Sequence, residues 1–166
     1  MDLLDRLLGH DAWTTRQLLL LCRELTAEQL DQPFDIGHRT VRASLLHIVR
    51  NMEVWTDLMC GGPIRPGDAD PSNGSSIDGL HDRLNRAADD LGRLARGVAA
   101  DGRWDALWTD FLDDPPVEKS CGGAIAHIIT HSMHHRAQVL FMLRHLGVAE
   151  LPEGDVFSWE NRDGLS

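Results

Sequence analysis

The chain lacks a surplus of positive charge. It carries 16 Lys and Arg against 26 Asp and Glu, a formal net charge of −10. Non-specific nucleic-acid binding needs cations to neutralise phosphates, so that class of partner is not expected. Long apolar runs are also missing. The longest, Leu18-Leu19-Leu20-Leu21-Cys22, is far short of the roughly 20 residues a membrane helix needs, so no membrane span is expected. The opening Met1-Asp2-Leu3-Leu4-Asp5 has no basic segment, so no signal peptide is expected. Cysteine is scarce. Cys22, Cys60 and Cys121 are widely spaced and form no CxxC pair. That pattern reads as reduced, buried thiols of a cytoplasmic protein rather than a disulfide framework. Internal repeats and heptad runs are absent too.

What is present is an ordinary globular composition. With 166 residues, 42% hydrophobic and 25% charged, the chain is expected to form one domain over residues 1–166 with a substantial core. Helical periodicity dominates. Leu3, Leu7, Thr14, Leu18, Leu21 and Leu25 predict a first helix over residues 2–25. Val41, Leu45, Ile48, Val49, Met52, Trp55 and Met59 predict a second, N-capped by Thr40 and stopped at Gly61-Gly62-Pro63. Residues 63–75 are rich in turn formers and read as a long crossover. Ile77, Leu80, Leu84, Ala87, Leu91, Leu94 and Val98 predict a third helix over residues 76–100. Residues 101–119 carry Trp104, Trp108, Phe111 and Pro115-Pro116, and read as an irregular excursion or two short strands. Trp104 and Trp108 are expected chiefly to pack, with the mouth of a site as the other role open to them. Ser120 is the expected N-cap of a fourth helix running to about residue 146, with Gly147 as its stop. Pro152, Phe157 and Trp159 are expected to tack the tail, residues 148–166, onto the rest. The expected fold class is all-α: a four-helix bundle with a long crossover between helices 2 and 3 and an irregular excursion before helix 4.

The chemistry concentrates in the fourth helix. His127, His131, His134 and His135 place four of the nine histidines within nine residues. Histidines four apart share a helix face, and neutral imidazole binds zinc, nickel, copper and iron. Helical angle separates the four. At roughly 100° per residue from His127, the apolar stripe spans roughly 60° to 160°. His135 falls at about 80° and His131 at about 40°, while His134 falls near −20° and faces outward. His127 lies at the margin, and Gln138, at about 20°, is a hydrogen-bonding neighbour for His131. Ser132 follows His131, so the glutamate of an HExxH protease is missing. A third ligand must come from elsewhere: His10, His38, His47, His81, Glu53 and Asp11 are the candidates. By spacing His47 is better placed than His81, but the choice stays open, because His47 lies off the main apolar stripe of its helix.

Three segments together resemble the DinB/YfiT-like family of metal-binding four-helix bundles. They are His10-Asp11-Ala12-Trp13 on the first helix, Leu46-His47-Ile48 followed by Glu53, Trp55 and Gly61 on the second, and His131-Ser132-Met133-His134-His135-Arg136-Ala137-Gln138 on the fourth, similar to the family's HxxxHRxQ. The resemblance covers most of the chain to about residue 146. It implies His47, His131 and His135 as ligands of a divalent metal, often zinc or nickel, and a homodimer. Some members resemble thiol S-transferases that use a low-molecular-weight thiol.

The expected function is activation of such a thiol, or of water, at the metal for transfer to a small electrophile. Two alternatives stand: a metal-dependent hydrolase of a small molecule, and a non-catalytic bundle that is stabilised by metal or senses it. Glu53 and Gln138 are expected to orient the ligands or handle a proton. Arg136 is expected at an anionic cofactor. His10 and Asp11, on the inner side of the first helix, are candidates to approach the same cavity.

Overall fold

In the computed structural model, which describes residues 1–67 and 75–162, each long helix opens on a capping side chain. Asp2 accepts from the Asp5 amide at the start of α1 (Leu3–Cys22). Thr40 does the same for α3 (Val41–Met59), Ser76 for α4 (Ile77–Ala100) and Ser120 for α5 (Cys121–His145). Each cap satisfies an amide that the helix leaves unpaired, and is worth about 1 kcal/mol. A short α2 (Ala27–Leu30) precedes α3 and is held by a capping box between Thr26 and Gln29. β1 (Leu107–Asp110) and β2 (Val117–Ser120) form an antiparallel hairpin with Leu107 opposite Ser120, and β2 leads directly into α5. A last turn, α6 (Val156–Glu160), closes the order.

The structure is therefore mostly helical, as the periodicity requires, with one small sheet added. α1 packs against α4 and α5, and α3 packs against the same two. Leu18, Leu45, Leu84, Leu91, Ile128 and Met142 are fully buried between them, each worth about 1.5–3 kcal/mol of burial. α1 and α3 thus lie across from one another. Two connections are diagonal, α1 to α3 through α2 and α4 to α5 through the hairpin, whereas the segment between α3 and α4 joins packed neighbours. That corrects the expected position of the crossover. Residues 68–74, most of that segment, lie outside the described residues, as do residues 163–166 of the tail.

Three local expectations also change. The first helix ends at Cys22 rather than near residue 25, because Thr26 starts a new helix. The region 101–119 holds the two short strands. In the tail, Trp159 is buried against Gly9, where a Cβ would come within 2.4 Å of the indole, whereas Phe157 is 74% exposed and anchors nothing. Cys22 and Cys121 are buried free thiols, but Cys60 is exposed. Burial pushes the Cys22 thiol up to about 12, so it is no nucleophile at neutral pH. No described helix is long and apolar enough to cross a membrane.

Candidate metal centre

α3 and α5 pack side by side, and that contact brings three histidines to one point. His47 sits mid-way along α3; His131 and His135 sit one turn apart on α5. The Nε2 of His131 lies 3.2 Å from the Nε2 of His47 and 3.2 Å from that of His135. The ring centroids of His47 and His135 are 4.6 Å apart. His135 is buried, while His47 and His131 are half-buried at the edge of the core.

The proton inventory of these rings is short. Gln138 Oε1 accepts from His135 Nδ1–H at 2.8 Å, and Gln138 Nε2 donates to His134 at 2.9 Å. A neutral ring has one N–H, so His135 presents a lone pair at Nε2. His131 Nε2 faces two neighbours with at most one proton to give, and its Nδ1 is buried with no partner among the described residues. The cluster therefore aims more lone pairs than protons at its centre. Burial, then repulsion from His38, His135 and His131, lowers His47 from an ordinary 6.5 to about 4. Burial and the neighbouring imidazoles lower His131 to about 4 as well. His135 is also lowered by burial, against the opposing Gln138 hydrogen bond. All three are neutral at pH 7, the form that binds a metal. Two nitrogens 3.2 Å apart, each about 2.0–2.1 Å from a shared point, subtend roughly 100° there, near the tetrahedral angle. The residues fit a divalent ion.

A fourth histidine joins them. His38, His47 and His135 each offer a ligand nitrogen within 4.8 Å of the other two, a three-histidine group that has His38 where the sequence led to His131, and the His38 ring lies over that of His47 with centroids 3.8 Å apart. His38 was one of several candidates in the sequence and had no periodic signal, because it lies in the loop before α3. Its available signal was the flanking Gly37, which adopts φ +48°. A Cβ there would meet Gln138 Oε1 at 2.0 Å. The loop is thus seated on the same glutamine that orients His135.

Beside the cluster lies a pocket of about 440 Å³ lined by Trp55, Lys119, Ser120, Gly123, Ala124 and His127. His127 bridges the two, its ring 5.2 Å from that of His131 and 4.6 Å from that of Trp55. Trp108 packs edge-on behind Trp55 at 5.8 Å, whereas Trp104 packs at the start of α5 against Gly122.

Other expected residues lie apart from the histidines. Glu53 is buried and paired with Arg83 of α4 through both carboxylate oxygens, at 3.0 and 2.7 Å, with Arg50 at 3.5 Å. Arg136 is buried and paired with Asp11, and it also donates to Thr15 Oγ1 at 3.1 Å. Neither side chain faces the cluster; each ties two helices. The expected place of Arg136 at an anionic cofactor does not match a guanidinium sealed between α1 and α5. His10 holds the tail by donating to the Gly154 carbonyl at 2.7 Å. His81 is placed next to Asn85 on α4. His134 is exposed; it bonds Gln138 and its ring lies edge-on to that of His135 at 5.0 Å.

The sequence matches the DinB family over residues 1–159. The chain belongs to the DinB family. The match takes in every histidine of the cluster, the pocket beside it and the docked Trp159. No curated protein matches the chain. DinB membership and a histidine group that could hold a metal ion together suggest a metal-binding protein.

Proposed function

We propose that this DinB-family chain is a metal-dependent enzyme on a four-helix bundle, with zinc or nickel held by His47, His131 and His135. It activates a low-molecular-weight thiol for transfer to a small electrophile. The observation that carries this reading is the convergence of three neutral imidazoles, with His131 Nε2 3.2 Å from the Nε2 atoms of both His47 and His135. Three protein ligands leave a position open, the usual catalytic arrangement. A divalent cation there supplies Lewis acidity that favours the anion of a thiol or water.

The chain's own side chains do the rest. Gln138 fixes the His135 tautomer so that Nε2 is the free lone pair. Trp55, Ala124 and His127 offer the electrophile an apolar wall next to His131, and Lys119, over the Trp55 ring at 4.6 Å, is the cation at its rim.

Protein purified without a His-tag should contain close to one metal per chain by mass spectrometry. His47→Ala, His131→Ala and His135→Ala should lose it, and His134→Ala should keep it. Retention by all three ligand variants would sink the metal reading. Loaded protein should consume a thiol in the presence of monochlorobimane, and chelation should abolish this. Turnover of esters or amides without thiol would instead make it a hydrolase. No turnover in a broad screen would favour the non-catalytic reading.

A further inference from the structure

We propose that His38 is a fourth, displaceable ligand of the same centre, carried on the loop before α3, so that the site alternates between a closed four-histidine form and an open three-histidine form. This rests on the metal reading above. Three observations point to it. A ring nitrogen of His38 is already within 4.8 Å of ligand nitrogens of His47 and His135, close enough for a small adjustment to bring it onto a shared ion. Its ring is inclined only 31° to that of His47 at 3.8 Å, and it lies 5.1 Å from the ring of His135. His38 therefore lies against both rings from the loop side, off α3 and α5.

The loop is built to hold it there. Gly37 takes φ +48° and Arg39 φ +69°, a left-handed conformation unusual for a residue with a side chain. Three backbone bonds close the turn: Arg39 to Ile36 at 2.9 Å, Phe34 to Arg39 at 2.7 Å and Thr40 to His38 at 2.9 Å. Gly37 rests on Gln138 with no room for a Cβ. Strained backbone of this kind persists where surrounding structure holds it, and it concentrates at functional sites.

The burial of the four rings differs in a way that assigns their roles. His135 is buried and His47 and His131 are half-buried on helices, but His38 is exposed on a loop. A helix-borne ligand cannot leave without unpacking the core, whereas His38 can swing out at the cost of a few loop bonds. Four nitrogens complete a tetrahedral zinc site and close it to substrate; removing one reopens it. An incoming thiol would therefore compete with His38 rather than bind an already open position.

Cobalt(II) titration of the metal-free chain tests this through visible absorption, without turnover. Wild type should give the intense band of a four-coordinate ion. His38→Ala should still bind one cobalt, with a weaker band of higher coordination and an affinity lowered by at least the roughly tenfold that loss of an outer-shell partner causes. Added 2-mercaptoethanol should change the spectrum of His38→Ala at lower concentration than that of wild type. Identical spectra and affinities for wild type and His38→Ala would overturn the fourth-ligand proposal while leaving the triad intact. Absence of cobalt binding in wild type would overturn both readings. His47→Ala is the control that separates them, since it should bind no cobalt. His38 is exposed, so its loss leaves the core packed, and a thermal melt verifies the fold of each variant.

Discussion

Gln138 and Gly37 show how much of the centre depends on single atoms. The glutamine amide sets which nitrogen of His135 is free, and the glycine allows the loop backbone to lie against it. In Gly37→Ala the new Cβ would fall 2.0 Å from Gln138 Oε1, at a φ that alanine tolerates poorly. That variant should bind metal roughly 10–100-fold more weakly, as loss of an outer-shell partner does, when measured by competition with a chelating dye. The pH dependence also belongs here. In the folded chain His47 and His131 stay neutral down to about pH 4, against an ordinary 6.5. Between those limits the unfolded chain binds more protons, so the stability of the metal-free protein should fall as pH drops from about 6.5 to about 4. Thermal midpoints across that range should show the slope, and His47→Ala should flatten it.

The helices are tied to one another by two buried ion pairs. Asp11 of α1 meets Arg136 of α5, and Glu53 of α3 meets Arg83 of α4. Burial pushes the Asp11 carboxyl above its ordinary range, and Arg136 opposes the shift. The pairs cross-link all four long helices, and Arg136 follows directly on His135, so the first pair also fixes the rotation of α5 that aims the ligands. Asp11→Ala should destabilise the chain by about 3–5 kcal/mol by stranding the guanidinium, read as a lower urea midpoint at unchanged slope. The double variant Asp11→Ala with Arg136→Leu should recover part of that loss, because no uncompensated charge remains.

Across the molecule, the proposed metal centre would be coupled to the fold. The proposed ligands come from two helices and, with His38, a loop, so an ion bound there would favour the packed state over the unfolded chain. Metal at one hundred times its dissociation constant adds about 2.7 kcal/mol. Chelation should lower the thermal midpoint of wild type and leave that of His131→Ala unchanged. An equal shift in both would mean the stabilising ion sits elsewhere. At the other end, Trp159 closes α1 against Gly9, and Trp159→Ala should cost about 3–5 kcal/mol through the cavity it leaves.

The four long helices, their caps at Thr40 and Ser120, and the inward set of His131 and His135 followed from the sequence, because periodicity, capping and helical angle are local properties. His47 needed the family pattern, since its strip on α3 is only weakly apolar. The pairing of helices was not legible: nothing local says that α1 and α3 lie on opposite corners, or that Glu53 and Arg136 find partners on other helices instead of facing the histidines. His38 stood among the candidates but could not be singled out, as a loop residue has no period to betray its direction. Residue spacing thus decided which imidazoles share a face. Only the packing of α3 on α5, which buries apolar surface from residues distant in the chain, decided that those faces meet at one point.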